Sequence, residues 1–350
     1  MHPKPPGNNI HKRTQAVTRF SALPRNRITM LDVAERAGVS KASVSRFIGD
    51  DRSLLSDATA QRIEKAIDEL GYRPNQMARG LKRGRTRLIG MLVADIRNPY
   101  SIAVMHGVET ACRRHGYNLV VCNTDRDPEQ ERQQLAALRS YNIEGLIVNT
   151  LGHHLDELRQ LQTELPLVLV DRKVEQLPSD LVGLDNRKAV QAALDHLHQR
   201  GYRDLALVSE PQDGTSSRIE RIAEFQRLAG GTVLQTGEDF QQRLQAFLAK
   251  PGGGPKALFC ANGVATLACT LALRELDCQL FSDIGLIALD DLDWYPLVGG
   301  GITALAQPTH DIGVRAFDCL LERLRGSQAE PQAYDFTPQL IVRASTPPRQ

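Results

Sequence analysis

Acidic residues are missing from the first 31 positions of this 350-residue chain, aromatics make up only 5% of it, and there is a single tryptophan. Long apolar runs are also missing. Leu88–Ala94 (LIGMLVA) is the longest near the start of the body, far below the roughly 20 residues that cross a bilayer, which excludes a spanning helix. The first 27 residues have no apolar core of the kind a secretory signal needs, so a cytoplasmic protein is expected. The six cysteines (Cys112, Cys122, Cys260, Cys269, Cys278, Cys319) form no C-x-x-C pair and lie in or beside apolar segments, as reduced core thiols would. No G-x-S-x-G elbow, Walker sequence or post-strand G-x-G-x-x-G is present, and Pro251–Pro255 (PGGGP) lacks the G-K-[ST] of a phosphate loop. Adjacent His153 and His154 point apart and have no suitably spaced third ligand. Asp290-Asp291 could pose as an acid pair, but accepting a ligand hydroxyl is the simpler role. No catalytic residue, metal or cofactor is therefore expected.

What is present is unevenly charged. Residues 1–87 hold 18 Lys+Arg against 8 Asp+Glu, and the remainder 25 against 33, so a strongly basic head precedes a mildly acidic body. That layout suits a polyanion-binding module joined to a part with another task. Residues 1–27 are too polar to order themselves and read as a disordered basic leader. From Thr29 the pattern predicts a short helix to Ala37, with Thr29 as N-cap, Asp32 three residues on, and Leu31, Val33, Ala34 and Ala37 on its apolar face. A tight Gly38-Val39-Ser40 turn follows, then a second helix from Lys41 to Phe47 or Ile48 capped by Ser40. A third helix, Asp57–Leu70, is capped by Ser56. Three short helices around one glycine turn make a helix-turn-helix domain. Its second helix presents its first residues to base edges, which nominates Lys41, Ala42 and Arg46, with Ser43 or Ser45 on phosphate and the caps Thr29 and Ser40 beside them.

Beyond Arg87, apolar runs recur at Leu88–Ala94, Leu119–Cys122, Leu146–Val148, Leu167–Val170, Leu205–Val208, Ala257–Ala261 and Ile284–Leu289. Helical patterns lie between most of them, as at Ile102–Arg114, Glu129–Ser140, Lys188–Arg200 and Ala265–Glu275. Strand-helix repeats of about 30 residues predict an α/β class with doubly wound parallel sheets in two lobes. In such sheets a ligand lies beyond the carboxyl ends of the strands. Those ends are dense in carboxylate, amide, hydroxyl and guanidinium groups, which suits a polyhydroxylated, possibly anionic, small molecule. Tyr100 and Trp294 are candidate walls against a sugar face.

The run TMLDVAERAGVSKASVSRFI, with IDELGYRPNQMARGLKRGRTRLIGMLVADIRNPY after it, resembles the DNA-binding head, hinge and first core strand of the LacI/GalR family of bacterial transcription regulators. Within that family, SKASVSRFIGDD and MARGLKRGRTRLIGMLVADIRNPY are similar to repressors of ketogluconate use. The resemblance implies a two-lobed periplasmic-binding-protein-like core behind the head. It implies a leader over 1–27, a helix-turn-helix domain over 28–74, a hinge helix and linker over 75–87, and an effector-binding and dimerisation core over 88–350. The lobes would comprise 88–185 with 306–337, and 186–305 with 338–345.

It places base reading on Lys41, Ala42 and Arg46. It also makes Pro74–Lys82 a hinge helix that enters the minor groove beside its twin, with Leu81 as the wedge, Asn75, Ala78 and Arg79 on the groove side, and Lys82 near phosphate. Effector contacts fall on Asp171 or Arg172, Arg221, Asn262, Asp290 and Gln307. Arg221 is the first candidate to clamp a sugar-acid carboxylate and Arg172 the second. The family's Asn-Asp pair is Asn262-Gly263 here, and the glycine of its R-x-x-G-F pattern is Glu224. The implied function is a repressor, binding a pseudo-palindromic operator as a homodimer, whose affinity for DNA is controlled by a small sugar acid such as 2-ketogluconate. Only seven residues follow Arg343, so no tetramer-forming tail is expected. A sugar-binding transport receptor and a sugar-metabolising enzyme with a regulatory head are the alternatives.

Overall fold

The computed structural model describes residues 28–49, 51–73, 85–150, 152–251, 253–278 and 281–349. They fall into two compact units, a helical head and an α/β core.

The head is built from three helices, Met30–Ala37, Lys41–Ile48 and Asp57–Leu70. Thr29 and Asp32 form a reciprocal capping box. The Asp32 amide donates to Thr29 Oγ1 (3.4 Å) and the Thr29 amide donates to Asp32 Oδ2 (2.6 Å), so that Thr29's backbone and side-chain hydrogen bonds lower the carboxyl's pKa. Gly38 closes the first helix at φ +62°, a conformation cheap only for glycine. Ser40 Oγ then accepts the Ser43 amide at 3.1 Å and starts the second helix. Val33, Ala34, Ala37, Val44, Ile63 and Ala66 make the small core. Leu31 is a correction: it lies 53% exposed, because the helix turns Val33, Ala34 and Ala37 inward and leaves Leu31 on the other side.

The core contains two six-stranded sheets. The first has the order β11-β5-β4-β3-β1-β2, from strands Leu88–Val93 (β1), Asn118–Asn123 (β2), Gly145–Asn149 (β3), Leu167–Val170 (β4), Asp180–Leu184 (β5) and Ala333–Phe336 (β11). The second has the order β12-β10-β9-β8-β6-β7, from Asp204–Ser209 (β6), Thr232–Gln235 (β7), Lys256–Cys260 (β8), Gly285–Leu289 (β9), Thr303–Ala306 (β10) and Gln339–Ile341 (β12). All pairings are parallel except β10 with β12. β3, β4 and β9 are buried along their whole length, as strands covered on both faces must be. Apolar clusters flank each sheet.

The chain passes between the sheets three times: after Leu184, between Ala306 and Thr309, and between Phe336 and Gln339. The Thr309–Leu324 helix packs on the first sheet against the Pro99–Arg114 helix. The two backbones touch. A Cβ on Gly107 would come within 2.2 Å of the His310 carbonyl, and one on Gly313 within 2.1 Å of that of Val104. Five of the six cysteines are buried and all are free.

Candidate functional site

In the head, Thr29, Ser40, Lys41, Ala42 and Arg46 are exposed, Ser43 and Ser45 half-buried, and Val44 fully buried. The second helix is therefore anchored on one side and offers a lysine, a methyl group and an arginine on another. No hydrogen bond or ion pair among the described residues engages the Lys41 or Arg46 side chain. Asn75, Ala78, Arg79, Leu81 and Lys82 lie outside the described residues.

In the core, strand ends from both sheets converge on one polar cavity. It is lined by Tyr100, Asp171, Arg172, Arg221, Asn262, Asp290 and Gln307 from the sequence reading, joined by Asn98, Thr215, Ser217 and Arg218. Trp294 is not among the lining residues. It starts a short 3-10 turn and packs edge-on against Tyr295, ring centroids 4.7 Å apart, on the apolar cluster of the second sheet. The wall assigned to it is corrected accordingly, and the aromatic that remains in the cavity is Tyr100.

Three backbone sites around the cavity are strained. Arg126, Asp171 and Asp290 sit at φ +62°, +64° and +71°, a region side chains other than glycine seldom occupy. Asp171 and Asp290 directly follow β4 and β9, and Arg126 lies three residues past β2.

Charged groups stitch the two sheets' loops together. Arg126, beyond β2, donates to Glu210, beyond β6, at 2.7 Å. Glu210 also accepts from Arg218 (2.8 Å) and Asn262 (2.6 Å). Burial pushes the Glu210 carboxyl up, but Arg218 and the hydrogen bonds from Arg126 and Asn262 outweigh it and hold its pKa below the ordinary value. Ser217 Oγ donates to Asp171 Oδ2 (3.4 Å), and the Lys173 amide donates to Ser216 Oγ (2.9 Å).

Arg221 points into the same space, 5% exposed. Its Nε donates to Asn186 Oδ1 at 2.7 Å, its Nη1 to the Ala261 carbonyl at 3.0 Å, and its Nη2 lies 3.7 Å from Asp171 Oδ1. Asp290 accepts from Gln307 (2.6 Å) and from the Gly263 amide (3.1 Å). Its pKa is nonetheless raised, because burial outweighs Arg221 and those hydrogen bonds. Asn262 caps the Gly263–Glu275 helix and reaches Glu210 with its amide. Glu224, at the departure from R-x-x-G-F, turns away to pair with Arg227 at 2.6 Å.

Sequence reasoning missed Arg126, Glu210 and Arg218. Arg218 stands one helical turn before Arg221, and that i, i+3 spacing was a usable signal. Glu210 immediately follows an apolar strand. A larger hollow at the opposite ends of the first sheet, lined by residues such as Arg87, Tyr117 and Glu144, offers no such convergence. Two of its charges, Arg139 and Glu164, face each other. Among the described residues no His/Cys/Asp/Glu group could hold a metal ion, and no helix is long and apolar enough to cross a membrane.

Residues 29–75 match the model for bacterial regulatory proteins of the lacI family. Residues 86–334 match that for periplasmic binding proteins and the sugar binding domain of the LacI family. The HTH-type transcriptional regulator PtxS of Pseudomonas aeruginosa is 68% identical over 94% of this chain and 99% of its own. The HTH-type transcriptional regulator KdgR of Bacillus subtilis is 40% identical over 91% and 97%. Among solved structures, the lac repressor dimer bound to operator and the anti-inducer ONPF shares the fold, with a TM-score of 0.78 at 21% identity over 91% of this chain and 99% of that one.

Proposed function

This chain belongs to the LacI family of bacterial regulatory proteins, and on that premise we propose that it is a transcriptional repressor whose grip on an operator is set by a sugar acid held in the core cavity. It is a DNA-binding regulator, as its relatives are, and not an enzyme. The observation that carries the reading is the second head helix: buried through Val44, it exposes Lys41, Ala42 and Arg46 together. Arg46 forks onto guanine O6 and N7, Ala42 meets a thymine methyl, and Ser43, Ser45, Thr29 and Ser40 take phosphates.

We extend the proposal to residues 75–82, where Leu81 would act as a minor-groove wedge between two copies of the chain on a pseudo-palindromic site. The domain division set out above belongs to the same proposal. The polar cavity and the family resemblance together favour 2-ketogluconate as effector. The test is a gel shift on the promoter of the adjacent operon, with and without 2-ketogluconate. Arg46→Ala should narrow the gap between operator and scrambled duplex by about 1–3 kcal/mol, or roughly five- to 150-fold. An unchanged gap, or operator occupancy indifferent to the sugar acid, would refute it.

A further inference from the structure

We propose that Arg172, and not Arg221, is the receptor for the ligand's anionic group, and that Arg221 is a strut joining the two sheets. The proposal rests on the sugar-effector reading of the cavity and makes it more specific.

The two guanidinium groups differ in what each already touches. Arg221 has a carbonyl, an amide oxygen and a carboxylate around it, so its Nε and Nη1 are occupied before any ligand arrives. Arg172 is equally buried, its side chain 8% exposed, yet that side chain makes no hydrogen bond among the described residues. Its Nε and Nη1 are both sealed from solvent without an acceptor. Its ion-pair neighbour, Asp171, stands 3.6 Å away and is shared with Arg221 and Ser217. Burial pulls the Arg172 pKa down, and Arg218 and Arg126 add to that against Asp171. A buried cation with unmet donors is costly, and in native proteins such a group points to a missing partner.

Two more unpartnered buried atoms line the same cavity, Tyr100 Oη and Gln307 Oε1. Together they define a complementary ligand. It has a carboxylate-like group facing the guanidinium, an oxygen or hydroxyl near Tyr100, and a hydroxyl donating to Gln307, whose own amide is committed to Asp290. A polyhydroxy acid meets all three requirements, whereas a neutral sugar leaves the guanidinium unmatched. Discrimination between acid and neutral sugar therefore lies in Arg172.

The experiment uses the full chain in calorimetry and thermal denaturation, at fixed ionic strength in chloride, with 2-ketogluconate, gluconate, glucose and sulfate as probes. Wild type should prefer the acids to glucose by about 100-fold, the scale of a buried charge-assisted pair. Arg172→Met should erase that preference while leaving glucose binding within about threefold. Its ligand-free melting temperature should equal or exceed that of wild type, since an unbonded buried charge has been removed. Arg172→Lys, which keeps the charge without the fork, should lose about tenfold for the acids alone. Arg221→Met should weaken acids and glucose alike.

Undiminished acid preference in Arg172→Met, unaltered acid affinity in Arg172→Lys, or loss of the preference in Arg221→Met alone would overturn the assignment. If no sugar acid binds wild type, yet sulfate raises its melting temperature and not that of Arg172→Met, the anion receptor stands and the effector reading falls. Sulfate acting equally on both proteins would remove the receptor.

Discussion

An imidazole whose burial disfavours its charged form ties the stability of the core to pH. His196 is 5% exposed, and its Nε2 lies 2.8 Å from Thr346 Oγ1. Burial lowers its pKa below 6.5, with Arg200 adding to the effect. Above the unfolded value of about 6.5 both states are neutral and nothing is lost. As pH falls through that value toward the lower folded pKa, the unfolded chain takes up a proton that the folded chain resists, so stability declines. Denaturation midpoints of the core should therefore drop between pH 7 and 5.5, and His196→Gln should flatten that slope. An identical slope in the variant would place the titration elsewhere.

The residues that decide the cavity were only half visible in the sequence. Asp171, Arg172, Arg221, Asn262, Asp290 and Gln307 could be named because the family resemblance implied them, and all but Arg221, which lies within the Ser216–Ala229 helix, also stand at strand ends where ligands bind. Their division of labour could not be read, because the Nε and Nη1 of Arg221 are taken by Asn186 and Ala261, 35 and 40 residues away.

Strands that carry an apolar run were legible, the edge strand β2 among them, and strands without one were not, the interior β5 and β10 among them. LVLV and IGLIAL announce themselves as strands, and their apolar runs lie within a residue or so of β4 and β9. β11 (AYDF) and β12 (QLI) carry no such run, since each has one neighbour and a half-solvated face. The Thr309–Leu324 helix escaped because its polar residues interrupt a face that is buried against the first sheet and Pro99–Arg114 together. Where those two helices cross, Gly313→Ala would drive a methyl into the Val104 carbonyl. Overpacking costs about 1–3 kcal/mol in side-chain cores, and a backbone contact has less room to relax. Chemical denaturation of the core should show a loss at the upper end of that range, whereas a neutral outcome would mean that the helices separate freely.

For the whole molecule, a head that exposes Lys41, Ala42 and Arg46 for the proposed base reading and a core with a polar cavity are useful to one another only through a shared equilibrium. Coupling between two binding sites is reciprocal. On the proposed function, the factor by which 2-ketogluconate changes operator affinity must equal the factor by which operator changes 2-ketogluconate affinity, measured in the same salt. Both titrations should also yield a steep salt dependence for the DNA step alone, as displaced counterions require. Unequal factors would mean that a third species, such as a dissociated chain, takes part.

The glycine crossing has a mechanical consequence. Pro99–Arg114 starts beside Tyr100 and Thr309–Leu324 just after Gln307, so both helices take root at the cavity and run the same way from it. With no side chains between them at Gly107 and Gly313, they behave as one girder about 24 Å long, 16 residues each at 1.5 Å per residue. A torque applied at the root of one helix should therefore be shared by the other where they touch.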